Sequence, residues 1–68
     1  MRVAMSIPDG YQPKGPTAIV RMDTGDIIAK TNNGVQWHYE VHIRDGASWF
    51  GVKDLDVALA IINRERGN

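Results

Sequence analysis

The sequence predicts an α+β fold, a small antiparallel sheet of three to four strands packed on one C-terminal helix. Three observations predict it. Short apolar and β-branched runs recur from position 17 onward, turn-forming stretches (DTGD, NNG and DG) separate them, and an amphipathic segment follows the last run. One face of each element is apolar, and a sheet backed by a helix buries both faces at once.

The first 16 residues read as an irregular arm or loop lying over the sheet. Pro8, Asp9, Gly10, Pro13, Gly15 and Pro16 crowd this segment, which excludes a helix or a long strand. Val3, Met5 and Ile7 alternate, so a short strand at 3–7 is compatible with the pattern. Residues 17–68 form a single ββββα domain in this reading.

The first strand, about 17–22 (TAIVRM), and the second, about 26–31 (DIIAKT), flank DTGD. Gly25 supplies the positive φ of a hairpin turn. The expected register sets Met22 against Ile27 and Val20 against Ala29. Arg21 then faces Ile28, and Ile19 faces Lys30. For the NNG turn, a two-residue loop would set Lys30 opposite Trp37 and bring a charge onto the aromatic face. A three-residue loop with Gly34 left-handed pairs Ala29 with Trp37 instead, and is the expectation, because a one-residue slip moves every side chain to the other face.

The third strand, about 35–44, alternates most clearly. Val35, Trp37, Tyr39, Val41 and Ile43 point one way, and Gln36, His38, Glu40, His42 and Arg44 the other. After Asp45-Gly46 comes the fourth strand, about 48–52. A two- or four-residue loop sends Phe50 and Val52 to the covered side and Trp49 to the polar side. Only a three-residue loop reverses this.

The helix is expected over about 54–65. Asp54 suits the N-cap and Asp56 the first turn. Leu55, Ala58, Leu59 and Ile62 recur at helical spacing, widened by Val57 and Ile61, and Gly67 ends the helix.

Sixty-eight residues hold one domain with a thin stability margin. Eight basic and eight acidic residues cancel, so net charge gives no push toward nucleic acid. Without cysteine there is neither a disulfide nor a thiolate ligand. No apolar run suits a signal peptide or a membrane span, so a soluble, cytoplasmic protein is expected.

Chemistry-bearing motifs are few. His38 and His42 share a strand face with Glu40 but have no third convergent ligand, and Ser6 and Ser48 show no triad pattern in the sequence. The glycines mark turns, and no phosphate-binding loop appears. The expectation is a non-enzyme without metal or cofactor.

What remains is the face opposite the aromatics, expected to hold Arg21, Lys30, Gln36, His38, His42, Arg44 and Trp49, with Glu40 as its one carboxylate and Ile19 and Ile28 between them. Spaced cations, imidazoles and an indole suit phosphate tracking and base contact. The first expectation is therefore a nucleic-acid-binding module using this polar face. The alternative is a protein-binding inhibitor or regulator encoded by a phage or other mobile element, docking on a host complex. In either case the bland explanation of the charges is a solvated sheet face. For Trp49 it is cover by the N-terminal arm through Tyr11 and Pro13. A homodimer through an exposed edge strand at Thr17 to Met22 is also compatible with the pattern.

Trp37, Glu40, Ile43, Arg44, Asp45, Gly46, Trp49, Gly51 and Ala58 are spaced in a way that resembles the ethylene-response-factor type of plant DNA-binding domain, and the arm-binding domains of tyrosine integrases are similar. The resemblance is confined to residues 35–62. It implies a three-stranded sheet backed by a helix, with Arg44 and Trp49 touching the DNA major groove. The chain departs from that family in its first strands, where DIIAKTNNG supplies only Lys30 in place of several arginines.

Overall fold

A computed structural model describes residues 7–67. Five strands form one antiparallel sheet in chain order: β1 (Tyr11–Pro13), β2 (Ala18–Arg21), β3 (Ile27–Asn32), β4 (Trp37–His42) and β5 (Ser48–Val52). The helix α1 (Leu55–Glu65) packs on one face, chiefly against β4 and β5. The α+β architecture is the expected one, with one more strand.

The extra strand lies in the segment expected to be an irregular arm. Tyr11 pairs with Arg21, Gln12 with Val20 and Pro13 with Ile19. Proline is tolerated here because β1 is an edge strand. β1 also covers β2, so the stretch Thr17 to Met22 is not a free edge. The other edge, β5, is interrupted by a bulge, and both edges are thereby blunted against pairing with a second chain. The possible strand at 3–7 lies mostly outside the described residues.

Two hairpin loops set the faces, and both differ from expectation. Asn32 pairs with Trp37, Lys30 with Tyr39 and Ile28 with Val41, leaving a four-residue connection of Asn33, Gly34, Val35 and Gln36. Side chains hold this loop. Asn32 Oδ1 accepts from the Gly34 N–H (2.7 Å), and Asn33 Oδ1 accepts from those of Val35 (2.9 Å) and Gln36 (3.0 Å). Four residues in place of three reverse the parity, so β2 and β3 turn their other sides to the helix. Between them the register is Val20 with Ile27 and Ile19 with Ile28, two residues from the expected one, which leaves their shared faces unchanged.

The second loop is the three-residue alternative. The Ile43 N–H donates to the Ala47 carbonyl (3.0 Å), and Asp45 at the apex takes φ 60°. Aspartate tolerates this left-handed conformation better than most residues. Trp49 therefore lies opposite Val41 on the helix side.

Val52 reaches the same side through the bulge. Val41 pairs with Trp49 but Tyr39 pairs with Val52, so Phe50 and Gly51 together oppose Glu40. Gly51 takes φ 69°, which permits the extra residue. The core that results joins Ile19, Ile28, Val41 and Val52 from the sheet to Ala58 and Ile62 from the helix.

Asp26 locks the end of the sheet that holds the β2–β3 and β4–β5 turns. Its side chain is fully buried and accepts from Thr24 Oγ1 (2.8 Å), the Arg44 N–H (2.9 Å), Arg66 Nε (2.8 Å) and Arg66 Nη2. Two turns and the end of the helix thus meet on one carboxylate. At the helix start, Asp54 occupies the N-cap position with extended backbone, but its side chain makes no capping bond. The helix ends through the Arg66 N–H to the Ile62 carbonyl and the Gly67 N–H to the Arg64 carbonyl.

Candidate functional site

The register places Gln12, Val20, Ile27, His42 and Ser48 in one row across the face opposite the helix, and Ala18, Ala29, Glu40 and Phe50 in the next. Thr31 and His38 continue it toward the β3–β4 loop. Among the described residues no element packs on this face. Among the described residues its formal charges with neutral histidines are Glu40 and, at the β1 edge of the same row, Lys14, whose N–H donates to the Ala18 carbonyl.

His42 is the organising side chain. Its Nδ1 lies 3.0 Å from Ser48 Oγ and its Nε2 3.2 Å from Glu40 Oε1. In the neutral ring these distances fit one tautomer: Nε2–H donates to the carboxylate, and Nδ1 accepts from the serine hydroxyl. The ring also meets Phe50 edge to face, with centroids 5.7 Å apart and planes at 77°. This geometry suits the ring quadrupoles and holds Phe50 in place. Phe50 is 67% exposed, an uncommon state for so large an apolar side chain.

Sequence spacing alone did not bring Ser48 to His42 and Glu40. The cross-strand pair His42–Ser48 does, and it exists only in the register set by the three-residue loop. The three residue types are those of a hydrolase triad, but the contacts are reversed: serine meets Nδ1 and the carboxylate Nε2. They lie on an open sheet face, without walls to exclude water. As an acid–base chain the group fixes side-chain orientation.

The expected site residues are dispersed. His38 and His42 lie on the open face. Arg21, Lys30 and Trp49, expected beside them, lie on the helix side, because both loops have the other parity. Arg21 is mostly buried and donates to Asp23 (Nε to Oδ1 2.8 Å). Lys30 Nζ sits 5.5 Å from the centroid of the Trp37 ring. Trp49 is half-buried against the core cluster. Its cover is the core beneath the helix and not Tyr11 and Pro13, which lie at the opposite edge of the sheet. Gln36 is in the β3–β4 loop. Arg44 is in the β4–β5 loop, exposed, with its aliphatic stem against Gly25. A side chain at Gly25 would meet that stem and would also be strained by its φ of 83°.

A cavity of about 320 Å³ opens on the helix side, between the start of β1, the β2–β3 turn and Asn63. Tyr11 and Arg21 line it, and burial pushes the Tyr11 hydroxyl above its ordinary pKa. Tyr11 Oη and Arg21 Nη1 have no hydrogen-bond partner, yet both atoms are sealed from solvent, so a molecule in the cavity does not reach them. Among the described residues no three metal-binding side chains converge, and no helix is long and apolar enough to cross a membrane.

Comparisons with protein-family models, with curated proteins and with solved structures return no match.

Proposed function

We propose that this chain is a non-enzymatic binding module that docks a protein partner on the uncovered sheet face, with Phe50 as its anchor. The observation that carries the reading is the composition of that face. Val20, Ile27 and Ala29 form an apolar strip on β2 and β3, Phe50 stands exposed on the edge strand β5, and His38, Glu40 and His42 on β4, with Ser48, supply hydrogen-bonding groups between and beside them. Interfaces combine apolar area with hydrogen-bonding groups, and exposed large aromatics of this kind carry much of their energy. Among the described residues this face carries one lysine, Lys14 at its β1 edge, against Glu40, too few cations for a nucleic-acid reading of it, because phosphate neutralisation dominates such affinity.

Charge indicates the kind of partner. Among the described residues Glu40 is the one acid on the face, on β4 beside Phe50, and Lys14 is at the far β1 edge, so the surface that meets Phe50 is apolar with a basic residue facing Glu40. The inhibitor or regulator role expected from the sequence belongs to this class.

Site-specific photocrosslinking in cells tests the proposal. A photoreactive residue in place of Phe50 should give one discrete protein adduct, and the same residue in place of the exposed Val57 on the helix should not. The captured protein, purified, should then bind the wild-type chain and lose affinity for Phe50→Asp. Adducts with nucleic acid or with a second copy of the chain, or equal binding by the variant, would sink the proposal.

A further inference from the structure

We infer that acid weakens docking on the open sheet face, through protonation of His42. This effect rests on the docking reading above and adds its regulation. His42 touches both the anchor and the acid of that face: its ring meets Phe50 edge to face, and its Nε2 lies 3.2 Å from Glu40 Oε1. Its Nδ1 is 3.0 Å from Ser48 Oγ, and the His42 and Glu40 side chains are partly exposed. A partner seated on Phe50 therefore covers the imidazole as well. Histidine is the side chain whose ordinary charge change falls between about pH 5 and 8.

Protonation changes the charge of this cluster and keeps its contacts. Ser48 Oγ turns from donor to acceptor as Nδ1 gains its proton, and the Nε2–H bond to Glu40 becomes an ion pair. Among the described residues, the groups around His42 are Ile27 on β3, Ser48 on β5 and, at alternate positions of β4, Glu40 and His38. Arg44 and Asp45 stand in the adjoining loop, with the Arg44 stem against Gly25, and Lys14 is at the far β1 edge. In the free chain, water and Glu40 support the imidazolium. Docking weakens both supports. The covering surface removes water, which disfavours the charged ring, and the partner's basic residue engages Glu40 and repels a second cation beside it. The complex therefore favours neutral His42, and docking sends the proton of the charged form to solvent. By reciprocity, affinity is full above the range in which histidine titrates and is lost as pH falls through it.

The probe is the purified protein captured by the photoreactive residue at position 50, titrated calorimetrically with the full chain from about pH 8 down to about pH 5.5. Affinity for the wild-type chain should fall about tenfold or more across that range. His42→Gln, which cannot titrate, should lose the dependence whatever its affinity, and His38→Gln should keep it. In the free chain at about pH 8, ¹⁵N spectra of the imidazoles should place the neutral His42 proton on Nε2. Wild-type affinity that is flat with pH, an equal fall in His42→Gln, or a proton on Nδ1 overturns the acid effect and leaves the docking reading standing. Equal binding by Phe50→Asp at the top of the range overturns both.

Discussion

Arg66, just beyond the last turn of the helix, grips the buried carboxylate of Asp26 with both Nε and Nη2, the first at 2.8 Å. Helix and sheet are joined through this pair at the end of the molecule farthest from the β3–β4 hairpin. Thr24 and the Arg44 N–H complete the carboxylate's hydrogen bonds. Removing the carboxylate leaves the donors behind, and breaking a buried pair typically costs about 3–5 kcal/mol. In a 68-residue domain that is a large share of the total stability. Asp26→Ala is therefore expected to be largely unfolded, or to shift the urea midpoint sharply downward.

The same carboxylate gives the chain an acid limit. The hydrogen bonds from Arg66, above all, hold Asp26 down to about 2 from its ordinary 3.8, against the opposing effect of burial. A depressed folded-state value contributes stability that is complete above the unfolded value and is lost as pH falls through the folded one. The window is therefore pH 4 down to 2, and the contribution is about 2 kcal/mol. Stability measured by urea titration should fall across this window. In Asp26→Asn the part of the fall owed to this group should vanish, from a lower starting stability.

The parity of the β4–β5 loop can be tested through stability alone. Trp49 packs on the core and Phe50 faces outward. Trp49→Ala should lose about 2 kcal/mol, below the range for fully buried tryptophans. Phe50→Ala should change stability by less than about 1 kcal/mol. Reversed costs would mean that the loop has the other parity.

Gly51 allows Val52 to join Trp49 on the helix side. A Cβ there meets nothing within 4 Å, so the cost of Gly51→Ala is that of the backbone at φ 69°. That cost is roughly 1–2 kcal/mol. Gly51→Asn should lose less, because asparagine tolerates the left-handed region. Both are measurable as a drop in the denaturant midpoint.

The architecture was legible in the sequence because periodicity and turn residues speak to it directly. Val41 and Tyr39 were placed correctly on the helix side, and Leu55 to Ile62 showed the helical stripe. The other strands were harder to orient. Ile19 and Ile28 on one face of β2–β3 are nearly matched by Val20 and Ile27 on the other, so burial of the strands alone decides little between the two parities. The loops decide it, through side-chain hydrogen bonds from Asn32 and Asn33 and a left-handed Asp45 that the letters NNG and DG do not specify. Keeping Lys30 off the aromatic face was also a poor guide. Its ammonium sits over the exposed Trp37 ring, so the charge stays outside the core. The face reversal carried Arg21, Lys30 and Trp49 away from His38 and His42, and it exposed Phe50. The short strand at Tyr11 was hidden by the prolines around it, which an edge strand accepts.

The docking proposal is tested most directly by the affinity of the purified, photocrosslinked protein partner for wild type and for Phe50→Ala, measured by calorimetry at low and high salt. A buried aromatic anchor contributes about 2 kcal/mol or more, which is close to a thirtyfold loss on truncation. The account predicts a loss of that size, nearly the same at both salt concentrations. Equal affinity for the two proteins would contradict it.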